Sequence, residues 1–151
     1  MSALRRISRD YFKKENGSAL LETAIVVPVL LLLAIGAAEY GRVYWTSIKV
    51  ANAATAGAQY GAQGLGTGDP TLIEQYARDD AGDQSLTVTS SQTCRCPGSE
   101  TPVACSGTCA GYGTPQFFVA VTASKNVAFL LRYPGVPQTI SVSRTATFRV
   151  Q

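Results

Sequence analysis

The sequence predicts an α+β protein. A long N-terminal transmembrane helix continues into a second half that packs on a small antiparallel β-sheet, joined by one short helix and a disulfide-bearing loop. Three observations predict it: an apolar run at residues 17–38, a stripe of small side chains at helical spacing over residues 39–63, and three later segments in which apolar and polar residues alternate with period two.

The apolar run reads GSALLETAIVVPVLLLLAIGAA. As a helix it spans about 33 Å at about 1.5 Å per residue, enough to cross a hydrocarbon core of about 30 Å. Arg5, Arg6, Arg9, Lys13 and Lys14 precede it, and Tyr40, Tyr44 and Trp45 follow it where an interfacial aromatic belt belongs. By the positive-inside rule the N-terminus stays cytoplasmic and everything after about Tyr40 is exported. A secretory signal peptide has a shorter apolar core of about 7–15 residues before a small-x-small cleavage site, which Ala34 to Ala38 could mimic. A buried core helix is disfavoured by the basic flank and the aromatic belt, and a plain membrane anchor stays as the simpler alternative.

Charge and composition remove several function classes. The chain has 151 residues, room for about one domain, and a net charge of +3. The segment before Gly17 accounts for that excess, because Asp10 and Glu15 offset two of its five basic residues. Downstream, Lys and Arg are scattered, so no basic groove for nucleic acid is expected. Histidine is absent, which removes the usual general base and the commonest metal ligand. No nucleophile–base pair, phosphate loop or ligand cluster stands out, so neither an enzyme nor a cofactor is expected.

One charge interrupts the apolar run: Glu22. A carboxylate in lipid is costly unless compensated, and marks a functional site by default. A short basic leader, Gly17, and an apolar helix with glutamate as its fifth residue together resemble the type IV prepilin pattern. The stretch G-S-A-L-L-E-T-A-I-V-V-P-V-L-L-L-L, followed by Gly36, Glu39, Tyr40 and Gly41, is similar to TadE-like pseudopilins of the tight-adherence (Flp, type IVb/IVc) pilus system. The likeness extends to size, a proline within the helix, a cysteine pair before a strand and a Ser/Thr-rich last strand. It is strongest over residues 17–41. Ser18 stands where many type IV pilins carry an aromatic that becomes methylated.

The resemblance implies a pilin-like fold, and cleavage between Gly17 and Ser18 by a prepilin peptidase. It also implies an ion pair between the new Ser18 amine and Glu22 of a neighbouring subunit. Such a pair is physically reasonable, since each group is costly alone in lipid and compensates the other. The implied role is a structural minor pilin or pseudopilin of the bacterial inner membrane. Its partners would be other pilins or pseudopilins, the assembly platform, the peptidase and inner-membrane lipid. A major filament subunit of this system would be shorter and mostly helical. The alternative is a single-pass membrane-anchored extracytoplasmic binding module. The expected divisions are a basic leader at 1–17, a transmembrane helix at 18–40, a periplasmic continuation with a Gly-rich linker at 41–68, and a small helix plus antiparallel sheet at 69–151.

Pro28 lacks an N–H and crowds the carbonyl of Ala24, so a kink is expected there. It is either a weak point used when the subunit leaves the bilayer or a tolerated membrane-helix proline. Ala34-x-x-x-Ala38 and Ala37-x-x-x-Gly41 offer small faces for close helix packing. Ala51, Ala54, Ala58 and Gly61 continue a smooth stripe that lets a sheet or helix approach closely. Gly57, Gly61, Gly64, Gly66 and Gly68 are then expected to end the helix.

Asp69-Pro70 predicts a helix start, with Leu72, Ile73, Tyr76 and Ala77 as its apolar face and Gly82 as its stop. Asp79, Asp80 and Asp83 read as a solvated helix end rather than a calcium loop. Strands are expected around Leu86–Ser91, Phe117–Ser124 and Ile140–Val150, with Arg144 on the apolar side of the last, at the sheet rim or facing a carboxylate. Between the last two, Val127 to Pro134 is an apolar segment. It either covers the core or docks on a partner through Phe129, Leu130, Leu131 and Tyr133.

Cys94, Cys96, Cys105 and Cys109 form a C-x-C-x8-C-x3-C pattern. Zinc knuckles favour wider pair spacing, and export into an oxidising compartment favours two disulfides of about 2–3 kcal/mol each. Three connectivities are open, and the nested one, Cys94–Cys109 with Cys96–Cys105, is favoured.

Overall fold

A computed structural model of the chain describes residues 4–64, 69–131, 135 and 137–150, with side chains from Ser18 onward. Helix α1 runs from Leu4 to Ala62 and helix α2 from Pro70 to Asp80. The strands are β1 (Thr87–Arg95), β2 (Pro102–Val103), β3 (Gln116–Ala128) and β4 (Thr139–Arg149). They form one antiparallel sheet in the order β2-β1-β3-β4. The α+β class is as predicted. Two compact units divide the chain, Met1–Gly41 and Arg42–Gln151.

Within the second unit, the C-terminal part of α1 supplies Val50, Ala53, Ala54 and Ala58 to the core. They meet Ile73 and Ala77 of α2, and Val88, Val119, Val121, Ala123, Val127 and Val142 of the sheet. The alanine stripe keeps the helix smooth, so bulk on the sheet side fills the space between layers. Gly57 and Gly61, expected to terminate α1, instead lie inside it as contact points. A Cβ on Gly57 would stand 2.9 Å from Ala77 Cβ and 3.2 Å from Val121 Cγ1, and one on Gly61 2.8 Å from Val119 Cγ1. Close three-way packing of α1, α2 and β3 outweighs the cost of about 1 kcal/mol that each helical glycine carries.

Helix α2 begins as its sequence dictates. Asp69 accepts from the Thr71 amide at 2.9 Å and the Thr71 hydroxyl at 2.6 Å, and these bonds hold its carboxyl below the ordinary range. Gly82, at φ +60°, turns the chain out of the helix. Ile73 and Ala77 are buried, whereas Leu72 stays exposed and Tyr76 stacks on Tyr60 of α1 with ring centroids 4.4 Å apart.

In β3, Val119, Val121, Ala123 and Val127 share the buried side. The strand continues to Ala128, so Val127 and Ala128 belong to it and not to the following connection. Lys125 has the same parity, and its ammonium pairs with Asp83 just after α2. Hydrogen bonds from Lys125, then from Ser85, lower the Asp83 carboxyl to about 2. The folded carboxyl therefore titrates below its usual 3.8, and its contribution is present above about pH 4 and lost as pH falls towards 2. Discounted for its solvated surroundings, the pair is expected to contribute about 1 kcal/mol. Acid titration of unfolding should show a shallower loss over that window in Lys125→Met than in the parent. Equal slopes would mean the pair contributes nothing.

Candidate functional site

The chemistry-bearing features lie in three places: the apolar part of α1, the disulfide loop and the β3–β4 connection. Among residues 18–38 every large apolar side chain is exposed, from Leu20 and Leu21 to Leu33. Such a surface is unsuited to water and suited to lipid. Thr23 hides its hydroxyl by donating to the Ala19 carbonyl at 2.8 Å. Ser18 and Glu22 are exposed, four residues apart, and Glu22 is the sole charge in this stretch. One long apolar helix with an exposed surface is consistent with a single-pass membrane anchor. Gly17 lies within α1, and its surroundings fall outside the described side chains. The helix runs on through Pro28, where the Ala24 carbonyl loses its backbone donor. Gly36 and Gly41 have no neighbouring atom within 4 Å of an added Cβ, which leaves their faces accessible. Glu39 is buried.

The four cysteines form two disulfides, Cys94–Cys105 and Cys96–Cys109, with Cα–Cα distances of 5.1 and 5.6 Å. This interleaved pattern corrects the nested expectation. A nested pairing needs a hairpin register that sets Cys96 opposite Cys105. The β1–β2 register instead sets Cys94 opposite Val103. The chain then turns at Ala104–Gly107, closed by a Gly107 amide to Ala104 carbonyl bond of 2.9 Å. A second turn fixes Cys109, whose amide donates to the Gly113 carbonyl at 2.6 Å. Cys94 is buried. Arg95 reaches Glu100 at 2.7 Å and lies 5.5 Å from the Phe118 ring centroid.

The acidic residues after α2 are engaged with protein groups: Asp79 accepts from Gln84 at 2.6 Å, and Asp83 from Lys125 and Ser85. Arg144 neither lies idle at the rim nor meets a carboxylate among its recorded bonds. It donates to the Ser143 carbonyl at 2.9 Å and to the Ser47 hydroxyl of α1 at 3.4 Å.

In the β3–β4 connection, Phe129 is half-buried and its amide donates to the Gln138 carbonyl, closing the hairpin. Leu130 and Leu131 are exposed. Tyr133 lies outside the described residues.

Fold and site define an N-terminally anchored, pilin-like α+β protein carrying two disulfides. Residues 17–59 match the family model of TadE-like protein, consistent with a TadE-like protein of the tight-adherence system. The match covers the segment on which the resemblance was strongest, and extends it into the part of α1 that packs in the second unit. No curated protein and no solved structure matches the chain.

Proposed function

We propose that the chain is a structural minor pilin or pseudopilin, a membrane-inserted subunit needed to assemble a Tad/Flp-type pilus. A prepilin peptidase cuts it between Gly17 and Ser18. The freed Ser18 amine then pairs with Glu22 of a neighbouring pilin, and the domain after about Tyr40 lies on the periplasmic side of the inner membrane. The observation that carries the reading is Glu22, alone in charge among exposed apolar side chains and five residues past Gly17. A lone carboxylate of this kind needs compensation from outside its own helix. The TadE-like match over residues 17–59 supports it, since that family is a structural pilus component. Its partners are then other pilins or pseudopilins, the assembly platform, the peptidase and membrane lipid.

N-terminal sequencing of the mature protein tests the cleavage. A start at Ser18 is expected, and Gly17→Ala should leave the precursor uncut. An intact N-terminus in cells that possess the peptidase would overturn the pilin reading in favour of a membrane-anchored binding module.

A further inference from the structure

We propose that the tip of the β3–β4 hairpin is a second membrane contact, with Phe129, Leu130 and Leu131 lying against the lipid surface from which α1 emerges. The inference rests on the single-pass anchor reading and adds to it a second point of attachment.

Packing within the second unit sets the level of the tip. Gly61 lies against Val119 and Gly57 against Val121. Following α1 back towards its N-terminus therefore means following β3 forward. The fifteen helical residues from Gly57 back to Arg42 rise about 22 Å, which matches about seven strand residues at about 3.3 Å each and ends near Ala128. The Arg144 contact with Ser47 lies along the same direction. Phe129, Leu130 and Leu131 thus stand at or beyond the level of Arg42, the first residue of this unit. In sequence, the apolar run stops four residues earlier, at Ala38. Tyr44 and Trp45 sit at this end of the unit and are exposed, the placement of interfacial aromatic anchors.

The tip has the surface such a position requires. Leu130 is 65% exposed and Leu131 40%, two adjacent leucines set on a closed hairpin. The opposite end of the sheet differs in kind: Arg95, Glu100 and Arg149 lie there with the disulfide loop and the exposed Tyr112. This polarity along the sheet favours a lipid surface over a protein partner at the leucine end. Burial of the two leucines would restrain tilt of the domain about the helix.

Brominated-lipid quenching of the full chain in phosphatidylethanolamine/phosphatidylglycerol bilayers tests the proposal. Trp45 is the natural single tryptophan and reports whether the chain is inserted. In a Trp45→Phe background, Leu130→Trp is expected to lose most of its emission to the brominated lipid, and Tyr112→Trp to lose none. If Trp45 of the parent is quenched but Leu130→Trp matches Tyr112→Trp, the tip does not touch lipid and this inference falls alone. If the parent fails to remain with the vesicles after alkaline extraction, the anchor reading falls and takes the inference with it. Leu130→Trp emission shielded from an aqueous quencher but untouched by brominated lipid would indicate a protein partner instead, and also overturns the proposal.

Discussion

Replacing Gly57 with valine is expected to destabilise the folded unit by about 3 kcal/mol, enough to bring it close to its unfolding threshold. The first added carbon alone would lie 2.9 Å from Ala77 Cβ, a rigid neighbour with no torsion to turn away. It would also lie 3.2 Å from Val121 Cγ1 and 3.4 Å from the Ile73 carbonyl oxygen, so α2 and β3 both resist relief. Valine adds two more atoms and a β-branch, which fixes its χ1 in a helix and removes the remaining escape. Gly57→Ala should cost less, because better helix propensity returns about 1 kcal/mol against the single clash. Gly36→Ala, with open space around the new carbon, should leave the melting of the second unit unchanged. The series is read from thermal or denaturant midpoints of purified protein. A Gly57→Val protein as stable as its parent would mean that α1 and α2 do not approach as closely as described.

The same glycines show what was legible in the sequence and what was not. Period-two alternation placed β1, β3 and β4, because burial on one side of a sheet leaves a direct trace in the order of residues. Asp69-Pro70 and Gly82 bracketed α2 because capping is local chemistry. Gly57 and Gly61 were misread as helix terminators because glycine has two uses, chain reversal and close approach. Only the opposing surface, here Ala77, Val119 and Val121, separates the two, and that surface is remote in sequence. Lys125 hid for a related reason. It occupies a core-side position in β3, and only its pairing with Asp83, 42 residues earlier, explains a charge there. The disulfide pairing depended on a register between β1 and the two-residue β2, an element too short to leave a periodic signal. In the candidate site, the exposed leucines of the β3–β4 connection were visible as an apolar segment. Their level relative to the membrane-proximal end of the unit became readable only through helix–sheet packing.

Glu22→Gln is expected to abolish pilus assembly while leaving the chain in the membrane at least as firmly as before, and the opposite signs of these effects make the variant informative. An ionised carboxylate within a membrane helix costs about 3 kcal/mol near the bilayer centre and less towards its edge. Glutamine removes that charge with little change in shape, so insertion should hold or improve. Assembly should fail for the complementary reason: the Ser18 ammonium of an incoming subunit would enter the apolar layer facing a neutral amide. Removing one partner of a desolvated ion pair costs about 3–5 kcal/mol, because the survivor stays charged and uncompensated. At each subunit addition that penalty corresponds to a factor of more than about a hundred in equilibrium constant. Repeated along a filament, it leaves no assembly. The measurement is sheared pilus yield beside the membrane fraction of the variant, with cleavage after Gly17 scored separately. Wild-type pilus yield from Glu22→Gln would mean that the carboxylate serves no inter-subunit pair. Loss of the protein from the membrane fraction would assign Glu22 a role in insertion, which the cost of burying its charge makes physically unreasonable.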